Sequence, residues 1–240
     1  MASILSIDTS GTSCSVALGL DDKRLVKRTD TPREHVRLVL PMVDQILADA
    51  GIKLSALDAI AFTNGPGSFT GLRIGFGVVQ GLAFGADLPV IALSSLQVMA
   101  QRAIQREGVA SNSILVPAID ARMGELYWGA YKQVKGFASP LAPDGLCPQQ
   151  EIPMPSFEGL VGDVPLIAVG DGWQYHPQLK RAVEVFKPSM IYQNIGPDAE
   201  DLHTLAYAAL AQGQVRAIED VEPVYLRNTI SWKKRQRLRS

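Results

Sequence analysis

A run of glycines over residues 64–85 limits this chain more than any other feature. Asn64-Gly65-Pro66-Gly67-Ser68-Phe69-Thr70-Gly71-Leu72-Arg73 follows a short apolar segment, 59–63, that reads as a buried strand. The glycines allow a sharp turn into a helix over 71–85, and a helix N-terminus favours anions. The loop is not a Walker A motif, which needs Gly-Lys-Ser/Thr, and it misses GxGxxG because Thr70 stands at the last glycine position. A phosphate cradle and a tight strand-to-helix turn account for it equally well. Within the helix, Gly77, Gly81 and Gly85 recur every four residues beside Ile74, Val78 and Leu82, while Leu72, Phe76, Val79 and Ala83 lie on the opposite side. Interior glycines 75, 77 and 81 cost about 1 kcal/mol each against alanine, so close packing must offset them. A helix apolar on two sides is buried on two sides. One side packs on its own sheet; the other needs a second lobe or another protein.

The preceding helix has the same character. Thr31-Pro32-Arg33-Glu34 reads as a capping box, with Pro32 at the first helical position and Gly51 as the stop. Val36, Val39, Leu40, Val43, Ile46, Leu47 and Ala50 form one apolar face, and Leu38 and Met42 widen it to an arc of roughly 200°. Pro41 sits mid-helix and should bend it. The second lobe predicted below is meagre, so a partner is the favoured cover for these two helices over burial beneath that lobe.

The rest of the chain places the pair in a fold. Residues 4–8 form a strand ending on Asp8 and a polar turn, Thr9-Ser10-Gly11-Thr12, with strands over 14–18 and 25–29 at hairpin distances. A strand over 89–93 and a helix over 94–106 complete the order β-β-β-α-β-α-β-α. This is an α/β, ribonuclease-H-like half of an actin-like ATPase fold. Strands follow at 114–119, 126–131 and 166–169, the last ending at Gly170-Asp171-Gly172, with a helix over 198–211. Prolines 140, 143, 148, 153, 155 and 165 crowd the span 136–165, which predicts a reduced, irregular second lobe. The expected division is an N-terminal lobe over 1–106, a second lobe over 107–222 and a C-terminal segment over 223–240.

Chemistry is sparse. Asp8, Thr9 and Ser10, with Gly65, Gly67, Gly170 and Gly172, are candidates for a working or vestigial phosphate site across an interlobe cleft, because a carboxylate, hydroxyls and glycines after strands can hold a metal and cradle a phosphate. A polar turn capping a strand explains them as readily. His35, His176 and His203 are scattered without metal-ligand spacing, and no G-x-S-x-G elbow is present. Cys14 reads as a structural thiol. Asp120-Ala121-Arg122-Met123-Gly124-Glu125 reads as an ion-paired turn rather than an acid–base centre. Two cysteines without CxxC spacing suit a reducing cytosol, and the N-terminus lacks the basic flank of a signal peptide. The apolar stretch near 74–86 is short of the roughly 20 residues that cross a bilayer, so no membrane is expected. The near-neutral total of −1 hides a split. Lys233, Lys234, Arg235, Arg237 and Arg239 crowd the end, leaving 18 basic against 24 acidic side chains in residues 1–232, a net of −6. That tail is a candidate for phosphate-backbone contact. Aromatic residues are only 7%, too few for stacking platforms to be evident in the sequence.

These motifs are similar to those of the TsaB (YeaZ) family. The resemblance rests on Ile4-Leu5-Ser6-Ile7-Asp8-Thr9-Ser10, the loop 64–75, Asp120-Ala121-Arg122-Met123-Gly124-Glu125-Leu126-Tyr127, Pro223-Val224-Tyr225-Leu226-Arg227-Asn228 and Trp232-Lys233-Lys234. It runs nearly end to end. It implies a bacterial actin-like fold protein of tRNA threonylcarbamoyladenosine formation, the modification beside the anticodon. In that system a separate enzyme makes threonylcarbamoyl-adenylate, the paralogue TsaD transfers the group to tRNA, and TsaE is a small ATPase. The implied role is a non-catalytic subunit. The stretch 94–100, which corresponds to the metal-binding HxxxH of TsaD, has no histidine. The family pairs through the two helices described above, with TsaD or, alone, with itself. The expected interface is therefore Leu38, Met42, Gln45, Leu72, Phe76, Val79 and Ala83. No cofactor is expected, beyond weak ATP or ADP with magnesium in the assembled complex. A nucleotide-dependent enzyme of the same fold, using Asp8, Ser10 and 170–172, is the alternative, and RNA contact through the tail is a third reading.

Overall fold

A computed structural model describes residues 2–20, 23–31, 34–149, 164–178 and 188–227. Strands β1 (Ile4–Asp8), β2 (Cys14–Leu20), β3 (Lys23–Thr29), β4 (Ala59–Gly65) and β5 (Val90–Ser94) form one sheet in the order β3-β2-β1-β4-β5. β1 runs antiparallel to β2, with Ile7 opposite Val16, and parallel to β4, with Ile7 opposite Phe62. Side chains alternate across a strand, and here both faces are covered. Leu5, Ile7, Val16, Leu18, Ile60 and Phe62 meet helices α1 (His35–Ala50) and α2 (Phe69–Ala86). Ile4, Ala59, Ala61 and Ile91 meet helix α4 (Ala199–Ala211) and Val98 of α3 (Ser95–Glu107). Double coverage is why β1 and β4 are apolar almost throughout. The order is that of the actin-like ATPase fold.

A second sheet runs β10-β7-β6-β11-β12, from β6 (Ile114–Arg122), β7 (Glu125–Trp128), β10 (Gly145–Pro148), β11 (Leu166–Val169) and β12 (Met190–Tyr192). β8 (Tyr131–Val134) pairs with β6 and with β9 (Phe137–Pro140). Leu96, Met99, Ala100 and Ala103 of α3 pack on one face, against Leu115, Tyr131, Ile167 and Val169. Trp173 seals the other and donates its indole N–H to the Val116 carbonyl at 2.8 Å.

Several expectations shift. The helix predicted from a Thr31–Glu34 capping box begins at His35, with Glu34 at its cap and no side-chain cap bond. Thr31 is occupied elsewhere: its N–H donates to Thr29 Oγ1 at 3.2 Å, and its hydroxyl accepts from the same threonine. Gly51 does end the helix, in the left-handed conformation at φ 68°. The single strand expected over 126–131 is two, because the Gly129 N–H turns to the Pro117 carbonyl between β7 and β8. Prolines 140 and 148 end short strands rather than preventing them; prolines 153 and 155 lie outside the described residues. Helix α4, from the middle span of the chain, packs on the first sheet. Helix α2 reaches 18 residues, long and apolar enough to cross a membrane by length and composition, yet Leu72, Gly75, Val79 and Ala83 of this helix are buried within the protein.

An ionic cluster ties α4 to α3 and β3. Arg28 and Arg102 contact the buried Asp198 at 2.8 and 3.5 Å, and Arg102 and Arg106 face the buried Asp201 at 3.7 and 4.0 Å. Burial pushes the Asp201 carboxyl up to about 7; the two arginines oppose the rise, and Asp198 and Glu200 add to it. The folded chain keeps this proton over a range where the unfolded chain, near 3.8, has released it. The group therefore lowers stability as pH rises from about 4 to about 7, by on the order of 2–4 kcal/mol in full. Asp201→Asn should gain stability relative to the parent as pH rises through this window, with no further gain above it. Urea unfolding at pH 5 and pH 8 measures this.

Candidate functional site

The turn after β1 is a closed knot. Asp8 Oδ1 accepts from Ser10 Oγ at 2.6 Å, from the Ser10 N–H at 3.2 Å and from Thr63 Oγ1 at 2.5 Å. Asp8 Oδ2 is buried and has no hydrogen bond among the described residues. Burial raises the Asp8 carboxyl above its usual range, and the Ser10 and Thr63 bonds pull it back. Thr9 Oγ1 donates to the Gly71 carbonyl at 2.8 Å, and the Ser68 N–H donates to the Ser10 carbonyl at 2.8 Å. Helix α2 starts directly above this turn because Ser68 caps it, accepting from the Gly71 N–H at 3.3 Å. A β-carbon on Gly67 would stand 2.5 Å from the Ser10 carbonyl oxygen, and on Gly71 or Gly75 it would collide with Thr9.

These residues do not fit a phosphate or its magnesium. The structure brings Asp8, Thr9, Ser10 and Gly67 together, but the Ser10 and Thr63 donors are spent on Asp8, Thr9 bonds Gly71, and the glycine loop packs over all of them. Gly65, at φ 122°, lies instead under the Val224 carbonyl, and Gly170 and Gly172 pack against Ala118 of β6. Every glycine suggested for phosphate thus has a backbone or side-chain neighbour that requires its lack of a side chain. Among the described residues no group of three His, Cys, Asp or Glu is placed to hold a metal. The Cys14 thiol is buried and pushed up to about 12, first by burial and then by Asp8. Buried His203 is lowered to about 4 and lies 3.4 Å from Ser6 Oγ, while His35 Nε2 lies 3.1 Å from the Ser13 carbonyl. The Asp120 turn is ion-paired as expected, Arg122 meeting Asp120 at 3.1 Å. Glu125 is taken by Arg227 from the distant C-terminal motif. The tail cations at 233–239 lie outside the described residues.

The α1–α2 surface corrects the expected interface. Leu72, Val79 and Ala83 are at most 3% exposed and sit in the core of the first sheet, so they present nothing to a partner. Phe76 is half-buried, its ring 6.0 Å from that of Phe62; Leu38 and Met42 are half-buried and Gln45 is exposed. The outward side is the other one. Among the described residues Gly77, Gly81 and Gly85 face open space; Phe84 on the same helix is 74% exposed, and on α1 Val36 is 63% exposed and Leu40 is exposed. Periodicity separates two faces of a helix without saying which is inside. Bulk was the missing signal: large side chains fill the space over a sheet, whereas a glycine row cannot. The same methyl group should therefore act with opposite sign on the two glycine rows. Gly71→Ala should destabilise by about 1–3 kcal/mol through the collision with Thr9, and Gly81→Ala should stabilise the isolated chain by up to about 1 kcal/mol. Urea midpoints at a common m-value check both.

Comparison with known proteins agrees with this architecture. Residues 27–183 match the family model of TsaD, tRNA N6-adenosine threonylcarbamoyltransferase. The tRNA threonylcarbamoyladenosine biosynthesis protein TsaB of Escherichia coli strain K12 is 41% identical over 232 residues, 96% of this chain and 97% of that one. TsaB of Haemophilus influenzae is 36% identical over 96% of both chains. The solved structure of YeaZ from Pseudomonas aeruginosa has a TM-score of 0.85 at 39% identity, covering 94% of this chain and 100% of that chain. With that identity along nearly the whole length, the chain belongs to the TsaB (YeaZ) family.

Proposed function

We propose that this chain serves tRNA threonylcarbamoyladenosine biosynthesis as a non-catalytic subunit that holds the transferase TsaD through the outward side of α1 and α2. The observation that carries this reading is the row Gly77, Gly81, Gly85. Each glycine inside a helix costs about 1 kcal/mol against alanine, and none of the described residues outside the helix comes within 4 Å of a β-carbon placed on these three. A second helix packed directly on the row, with Phe84 and, on α1, Val36, Leu40, Leu38 and Met42 available to it, explains them. The TsaD family model spans 27–183, which includes α1 and α2, so a transferase of that family has counterparts of both helices. Two related helix pairs facing each other make a pseudo-symmetric four-helix contact. A second copy of this chain takes the same face when TsaD is absent, and TsaE joins the larger assembly. The substrate tRNA is then carried to the TsaD centre in the cytoplasm.

Catalysis by this chain alone lacks carriers among the described residues. The Asp8 turn spends its donors internally, no metal cluster is present, and both cysteines are buried. Gly81→Leu with Phe84→Glu should abolish co-elution with TsaD, weakening affinity at least about 100-fold, or roughly 2.7 kcal/mol, with circular dichroism unchanged. Leu72→Ala, a core residue, should lower the urea midpoint and leave co-elution intact in the folded fraction. If the double variant still co-elutes with TsaD, the helical face is not the interface.

A further inference from the structure

Three motifs far apart in sequence meet on one ledge beside the start of α2. The Val224 N–H donates to the Asn64 carbonyl at 2.7 Å, fastening the C-terminal segment to the end of β4. Next along, the Tyr225 ring lies 5.4 Å from that of Phe69, and the Tyr225 hydroxyl accepts from Arg73 Nε at 3.3 Å. The Arg73 guanidinium sits 3.9 Å over the Phe69 ring. Then Arg227 crosses to the second sheet, donating to Glu125 Oε2 at 2.9 Å and to the Ala121 and Arg122 carbonyls at 3.0 and 3.2 Å. Those carbonyls are turned toward it by successive left-handed residues, Arg122, Met123 and Gly124, at φ 65°, 59° and 79°. The strap is held from below, while its upper side stays open: Phe69 is 50% and Tyr225 40% exposed.

The chemistry of that open side is specific. Arg73 makes no ion pair with a carboxylate among the described residues, and the Arg122 side chain is 83% exposed despite its contact with Asp120. A guanidinium with no carboxylate partner among the described residues, beside exposed aromatic rings, suits a nucleotide, which offers a phosphate to the one and a base to the other. An acidic peptide would use the arginine and leave the exposed surface of the rings idle. The charge distribution points the same way. Residues 1–232 carry a net of −6 and repel a polyanion, so an RNA can settle only where cations gather.

We infer that Phe69, Arg73 and Tyr225, with Arg122 at the edge, form a contact for single-stranded RNA, in which a base stacks on the aromatic pair and a neighbouring phosphate meets Arg73. The identity of that RNA as the tRNA substrate rests on the proposed function; the contact itself is tested separately. The full chain is mixed with TsaD, and the affinity for an unmodified tRNA is read by fluorescence anisotropy across a salt series. Arg73→Gln should weaken binding about 5–20-fold at low salt and reduce the slope of log affinity against log salt by about 0.7. Tyr225→Ala should weaken binding about 5-fold or more with the slope unchanged. Arg73→Lys should restore the slope, which a merely structural role for Arg73 would not predict. Affinities and slopes equal to the parent in both Arg73→Gln and Tyr225→Ala overturn the inference. Loss of TsaD co-elution by these variants without RNA also overturns it, making the ledge a protein interface. If instead Gly81→Leu with Phe84→Glu leaves co-elution intact while Arg73→Gln still weakens RNA binding, the ledge stands and the helical interface falls.

Discussion

The approach of α2 to the turn after β1 governs the rest of the molecule. Thr9 bonds the Gly71 carbonyl, Ser10 accepts from Ser68, and Gly67, Gly71 and Gly75 leave no side chain between them. Because the helix begins so close to the sheet, Leu72, Val79 and Ala83 sink into the core while Gly77, Gly81 and Gly85 are left outward. The same approach closes the turn around Asp8, whose carboxylate collects three donors from Ser10 and Thr63. Here the closure and the outward glycine row are two consequences of one contact.

Much of the fold was legible in local sequence. β1, β4 and β11 are short apolar runs bounded by polar or glycine turns, Ser94 announces α3 by accepting from the Leu96 and Gln97 N–H groups, and Gly51 ends α1. Signals that depend on a competing partner failed. Thr31 and Glu34 have capping-box spacing, but Thr29 captures the Thr31 hydroxyl. Residues 126–131 read as one strand until Gly129 turns its N–H away to Pro117. The two faces of α2 show in its periodicity, but which one lies inside does not; the structure puts Leu72, Val79 and Ala83 in and Gly77, Gly81 and Gly85 out. Phosphate glycines and packing glycines look alike in sequence. Only the neighbours of Gly65, Gly170 and Gly172 distinguish them. The meeting of Arg227 with Glu125 spans more than 100 residues, and no local pattern carries it.

Under the proposed function, the described residues offer a closed interior turn and an outward helical surface. The turn after β1 is closed on itself, and the glycine row, with Phe84 on the same helix exposed, faces outward. The C-terminal segment, as far as Arg227, passes Arg73 and crosses from the first sheet to the second. On this account the chain contributes surfaces, and its partner contributes chemistry.

That division is tested most directly by reconstitution. Threonylcarbamoylation of an unmodified tRNA from threonylcarbamoyl-adenylate is followed with TsaD alone, with this chain alone and with both. The account predicts turnover with both proteins, little with TsaD alone and none with this chain alone. Equal turnover by TsaD with or without the chain, or turnover by the chain without TsaD, would contradict it.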